Sequence, residues 1–121
     1  MSIIKEGYRT EVVATIPVNT ALSDVIDLGA GSIVGIIMPS GWTAAAITLQ
    51  TKTTSTGTLA NVYDKAGSEY TIVAAASSHI ILDPTALRGL GRYVVLRSGT
   101  AALAVNQTSA RTLTVLVKLV E

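Results

Sequence analysis

Residues 28–51, LGAGSIVGIIMPSGWTAAAITLQT, carry no charged side chain, and Asp27 and Lys52 bound the run. Its length invites a membrane-helix reading, because about 20 apolar residues cross a bilayer core. Its contents argue against any helix. Gly29, Gly31, Gly35 and Gly41 fall inside it together with Pro39, while Ser32, Ser40, Thr43, Thr48 and Gln50 dilute its hydrophobicity. Glycine costs about 1 kcal/mol relative to alanine in a helix interior, and proline removes a donor and clashes with the preceding turn. Pro39-Ser40-Gly41 reads instead as a turn between two apolar strands. A strand without charge on either side is expected to be covered on both. The run is therefore predicted to bury one face in the core and the other against a partner chain, with no transmembrane helix.

The same texture continues along the chain, where short β-branched runs alternate with Gly, Pro, Asn, Asp and Ser clusters. Strands are predicted near residues 9–16, 24–28, 32–38, 46–52, 60–63, 69–73, 79–82, 93–98 and 112–120. In the last, Leu113, Val115, Val117 and Leu119 share one face, while Leu116 and Val120 on the other imply partial cover there too. Eight or nine short antiparallel strands at this spacing favour an all-β fold, a single β-sandwich or jelly roll. One short helical turn is predicted near Pro84–Arg88. Asp83 would cap it, proline is tolerated at a first helical position, and Gly89 and Gly91 stop it. Asp64-Lys65-Ala66-Gly67 has the composition of a hairpin turn.

A chain of 121 residues fits one domain, residues 1–121. Residues 1–8 are read as an N-terminal arm that orders against a neighbour. The start, MSIIKEGYRTEVV, breaks its apolar step with Lys5, Glu6 and Arg9, so no secretory leader is expected. Charged residues make up 14% of the chain, against about 25% in an average globular protein. Mean hydropathy is +0.51, yet phenylalanine is absent and aromatics are 4%. Such a surface is poorly defended against association, so part of it is expected to be covered by other chains. The net charge of +1 supports no strong claim on nucleic acid. Without cysteine there is no disulfide framework, thiolate metal site or cysteine nucleophile.

No motif carries chemistry. His79 is the only histidine; it neighbours Ser77, Ser78 and Asp83, but adjacent strand residues point to opposite faces and no nucleophile-elbow glycines surround either serine. A surface or interface role is expected for it. Asp64 and Glu69 flank one turn without the dense oxygen spacing of a calcium loop. Asp24 and Asp27 read as strand-end residues. Gly89-Leu90-Gly91 lacks the strand and helix that frame a phosphate loop, and Asn106-Gln107-Thr108 is a formal glycosylation sequon. Trp42 stands beside the predicted turn. It reads as a plug between sheets or an anchor at a subunit contact, where tryptophan is enriched. As a sugar platform it would act nearly alone, helped at most by Tyr63, Tyr70 or Tyr93.

The segments VIDLGAGSIVGIIMPSGWTAAAITLQT, NVYDKAGSEYTI, IILDPTALRGLGRYVVLRSGT and ARTLTVLV occur in an order that resembles small structural proteins of tailed bacteriophages and prophages. The resemblance runs from about Val25 to Val117, and head-decoration (cement) proteins of sandwich or jelly-roll type are the nearest functional analogy. It implies a non-enzymatic virion protein on the phage head surface, made in the bacterial host cytoplasm. It also implies the major capsid protein as partner, self-association as a dimer or trimer, and no cofactor, metal, nucleic acid or membrane. On this reading Met38, Trp42, Ile47 and Leu49 serve the core or a subunit seam, and Arg92 and Arg97 contact the capsid. The same order more faintly resembles discoidin-like sugar-binding sandwiches, which implies the alternative of a carbohydrate-binding module on a phage tail or receptor-binding assembly. The chain departs from those in its missing aromatic platform and in its threonine-rich TKTTSTGTLA.

Overall fold

A computed structural model describes residues 9–119 of the chain. It is all-β, with nine strands and one short helical turn. The strands are β1 (Arg9–Ile16), β2 (Ile26–Asp27), β3 (Gly31–Ile37), β4 (Ile47–Lys52), β5 (Ala60–Asn61), β6 (Thr71–Ile72), β7 (His79–Ile81), β8 (Tyr93–Ser98) and β9 (Arg111–Leu119). The turn, α1 (Pro84–Leu87), lies between β7 and β8, and the Asp83 carboxylate accepts from the Thr85 N–H at 3.0 Å as its cap. The expected N-terminal arm, residues 1–8, lies outside the described residues.

Two antiparallel sheets form the sandwich. One has the order β1-β9-β3-β7; the other has the order β2-β8-β4-β5, with β6 also on β4. β5 pairs Asn61 with Gln50, and β6 pairs Thr71 with Thr48, along the same edge of β4 and in the same direction. The two behave as one strand interrupted by a hairpin, which closes at the Tyr63–Glu69 bridge around the predicted Asp64–Gly67 turn. Counted that way, successive strands alternate between the sheets, save that β4 and the β5–β6 strand are neighbours in one sheet, in the manner of a jelly roll. Pro39–Gly41 therefore carries the chain from one sheet to the other.

The core lies between the sheets. Ile33, Ile36, Val115 and Leu113 face it from one side, and Ile47, Leu49, Val94 and Leu96 from the other, all essentially inaccessible to water. Strict alternation would send Ile33 and Ile36 to opposite faces. A register shift between Ile33 and Gly35, with Val34 as the extra residue, brings both into the core. Among the described residues no buried side-chain nitrogen or oxygen lacks a hydrogen-bond partner. Gln107 is fully buried; its Oε1 accepts from the Thr43 N–H at 2.8 Å and Arg111 Nε at 3.0 Å, and its Nε2 donates to Ser98 Oγ at 2.7 Å and Thr43 O at 3.0 Å. These four bonds pin the 41–45 connection to the start of β9.

The charge-free run becomes β3 and β4, each an interior strand of its own sheet. No helix among the described residues is long and apolar enough to cross a membrane. The expectation that a partner chain covers the second face needs correction for β4. There the chain covers itself: Thr48 is fully buried beneath Arg97, to whose Nε its hydroxyl accepts at 2.9 Å. For β3 the outer face is partly open, with Ile37 37% exposed.

Candidate functional site

The outer face of the four-stranded sheet gathers exposed and half-buried apolar side chains from all four of its strands. Register places Val13, Thr114, Ile37 and His79 in one row across β1, β9, β3 and β7. The adjacent row holds Glu11, Leu116, Gly35 and Ile81. Val13 is 52% exposed and Ile81 86%. Gly35 has no side chain of its own, and Leu116 and His79 lean over it: a Cβ built there would lie 3.3 Å from Leu116 Cδ1 and 3.7 Å from His79 Nε2. Any larger residue would push both aside. The two rows thus carry Val13, Ile37, Leu116 and Ile81 with a single carboxylate, Glu11, at the β1 edge. A contiguous apolar surface of this kind marks an interaction site more often than a solvated sheet does.

His79 takes part in this face and in no triad. The Ser78 hydroxyl donates to the Ala75 carbonyl at 2.7 Å and Asp83 caps α1, and no hydrogen bond joins either to His79 among the described residues. Asp64 Oδ1 is occupied by the N–H groups of Ala66 and Ser68, and Glu69 by Arg97. Among the described residues no group of three or more His, Cys, Asp or Glu side chains is placed to hold a metal ion.

The residues singled out in the sequence separate into three groups. Met38, Ile47 and Leu49 are buried in the core. Trp42 is half-buried, packs against that core and donates from Nε1 to the Ala45 carbonyl at 3.1 Å, so its ring plugs one end of the sandwich. Arg97, expected as a surface contact, is only 6% exposed. Its Nη2 meets Glu69 Oε2 at 2.6 Å and its Nη1 donates to Asn61 Oδ1 at 3.0 Å, so each guanidinium nitrogen, Nε included, is engaged within the chain and the group is buried. The β5–β6 hairpin brings Glu69 and Asn61 over it, which alternation along β8 alone does not reveal.

Arg92 is the one that reaches solvent. It forms a two-pronged pair with Asp27, Nε to Oδ1 at 2.7 Å and Nη2 to Oδ2 at 2.9 Å, and its guanidinium lies 5.4 Å from the Tyr93 ring centroid. The hydrogen bond from Arg92, with the Gly29 N–H adding to it, lowers the Asp27 pKa from 3.8 to about 2. A carboxylate whose folded pKa is depressed contributes stability above its unfolded pKa and loses it as pH falls through the folded value, here between about pH 4 and 2. In an NMR titration the Asp27 carboxyl carbon is expected to titrate near pH 2, and Arg92→Gln to return most of the way to the ordinary aspartate range.

A concavity of about 490 Å³ opens between the β5–β6 hairpin and α1, lined by Val62, Tyr63, Asp64, Tyr70, Asp83 and Leu87 among others. Tyr63 is 55% exposed. Burial, reinforced by the Asp83 charge, raises the Tyr70 phenol above its usual pKa. The aromatic side chains nearest to a ligand platform are therefore Tyr63 and Tyr70, with Trp42 taking no part. No protein-family model matches the chain, and neither the curated proteins nor the solved structures yield a match to it.

Proposed function

We propose that this is a non-enzymatic structural protein of a tailed-bacteriophage virion, a head-decoration protein that self-associates and seats on the major capsid protein. The observation that carries the reading is the outer face of the β1-β9-β3-β7 sheet, with Val13, Ile37, Leu116 and Ile81 gathered in two rows and charge confined to Glu11 and to the neighbouring Arg9–Lys118 row. The ordered sequence words between Val25 and Val117 that resemble phage structural proteins support it, as does the low charge of the chain. A jelly roll hosts capsid proteins and lectins alike, so the architecture itself does not choose between them. In this reading the apolar face docks on the shell. Each contact needs only modest affinity, because linked copies engage together and the later engagements are effectively intramolecular. The shell gains stability because the protein binds the assembled lattice and not its dissociated subunits.

The rival reading, a carbohydrate-binding module of a phage tail or receptor-binding assembly, is favoured by one observation, the groove beside Tyr63 and Tyr70. Co-sedimentation with expanded shells lacking the protein separates the two. The wild-type chain is expected to sediment with the shells. Ile37→Asp combined with Ile81→Asp is expected to bind at least about tenfold more weakly, since a carboxylate would be desolvated at the contact, and to stay folded because both residues are solvent-exposed. Failure to bind shells, together with glycan binding that disappears in Tyr63→Ala, would overturn the proposal in favour of its rival.

A further inference from the structure

β1 is an edge strand of eight residues, the outermost of its sheet. Its hydrogen-bonding groups alternate in direction. The Thr15 N–H donates to Asp24 Oδ1 at 2.8 Å and the Thr15 carbonyl accepts from the Asp24 N–H at 3.1 Å, so odd-numbered residues point away from β9. Arg9, Glu11 and Val13 therefore aim their N–H and C=O groups outward, and among the described residues those groups have no hydrogen-bond partner. No proline, bulge or inward-pointing charge interrupts the strand before Pro17. These are among the devices that blunt sheet edges. The charges β1 does carry, Arg9 and Glu11, are opposite in sign, so a second copy can pair with them where another strand would meet an unpaired charge.

We propose that two copies of the chain join antiparallel through β1, about a two-fold axis at Thr10, to make one continuous eight-stranded sheet from two four-stranded ones. The side chains select that register. Antiparallel partners must lie on the same face, so a strand paired with its own copy has its axis on a residue. An axis at Glu11 sets Glu11 directly against Glu11 of the second copy, and like charges so placed are destabilising. An axis at Val12 sets Glu11 against the uncharged Val13 and Arg9 against Thr15, whose outward N–H and C=O already belong to Asp24, so neither charge meets its opposite. An axis at Thr10 sets Arg9 against Glu11 and, by symmetry, Glu11 against Arg9. Opposite charges then meet twice on the outer face, and the outward backbone groups of both residues are satisfied. A two-fold closes on itself, so the assembly is a dimer and not a trimer. It also places the two apolar outer faces side by side, doubling the surface that the proposed shell contact would use.

The chain has no cysteine, which makes the register directly testable in the full-length protein. In a non-hydrogen-bonded antiparallel pair the Cα atoms are about 4.5 Å apart, within the roughly 4.4–6.8 Å that a disulfide spans. Oxidised Thr10→Cys is expected to run as a covalent dimer on a non-reducing gel, and Glu11→Cys as a monomer. In sedimentation experiments the wild-type chain is expected to dimerise, Arg9→Glu to dimerise at least about tenfold more weakly, and Arg9→Glu with Glu11→Arg to recover. A wild-type monomer or trimer, cross-linking through Glu11→Cys in place of Thr10→Cys, or a dimer indifferent to Arg9→Glu would overturn the inference. Shell binding by a monomeric chain would overturn this inference alone and leave the capsid reading standing.

Discussion

Glu69→Ala is expected to lower the stability of the fold by about 3–5 kcal/mol, the loss seen when one partner is removed from a buried ion pair. Arg97 is 6% exposed, and the side chains of the pair retain 8% and 17% of their accessible surface. Guanidinium cannot shed its proton in a protein, so without Glu69 a full positive charge stays under the β5–β6 hairpin with only Thr48 Oγ1 and Asn61 Oδ1 to solvate it. The backbone N–H of Ala101, 3.1 Å from Glu69 Oε2, loses its acceptor at the same time. For a chain of this size a kilocalorie corresponds to roughly 4 °C in Tm, so a drop of about 10–20 °C should appear in a thermal melt. Replacing both partners, Arg97→Met with Glu69→Leu, should recover most of the loss, because the pair had to be desolvated before it could attract. A melt of Glu69→Ala within a few degrees of wild type would mean that water reaches Arg97 far more readily than this geometry allows.

The same pair shows where sequence reasoning stops. Most strand positions were legible because β-branched runs and turn residues are local signals: β1 and β8 fall on the predicted residues, and Asp83, Pro84 and the glycines after them delimit α1. Pairing is not local. β1 lies against β9 from the other end of the chain, and the β5–β6 hairpin returns to cover β8. Arg97 looks like an outward-facing residue in YVVLRS, and it does point away from the core. Its burial comes from Glu69 and Asn61, which a window around β8 does not contain. Ile33 and Ile36 mislead for a different reason, since the bulge at Val34 resets the alternation that strand reading depends on. The candidate face was hidden in the same way. Val13, Ile37, Leu116 and Ile81 come from four strands, and only the register of the sheet gathers them. Trp42, conspicuous in the sequence, turns out to be a packing residue.

Leu96→Ala is expected to cost about 3–4 kcal/mol, within the range for leucine truncations in well-packed cores. Leu96 lies mid-β8, opposite Leu49 on β4, and both are completely buried between the sheets. Its backbone is fixed independently of its side chain, by the Ser23 hydroxyl on its N–H and the Ser23 N–H on its carbonyl, each at 2.9 Å. The strand therefore cannot easily collapse into the space vacated, and most of the cavity should remain. In urea the midpoint should fall while the slope stays constant, since the same surface is exposed on unfolding. Ile81→Ala gives the contrast: a similar loss of methyl groups at an 86% exposed position removes little buried area and should change stability by less than about 0.5 kcal/mol. The two substitutions should then exchange their rank when shell binding is measured on folded protein. Leu96→Ala should bind as wild type once its unfolded fraction is discounted, whereas Ile81→Ala should weaken binding. Both are large aliphatic residues on strands, so the exchange of rank would isolate the face on which each sits as the variable that divides folding from recognition in this chain.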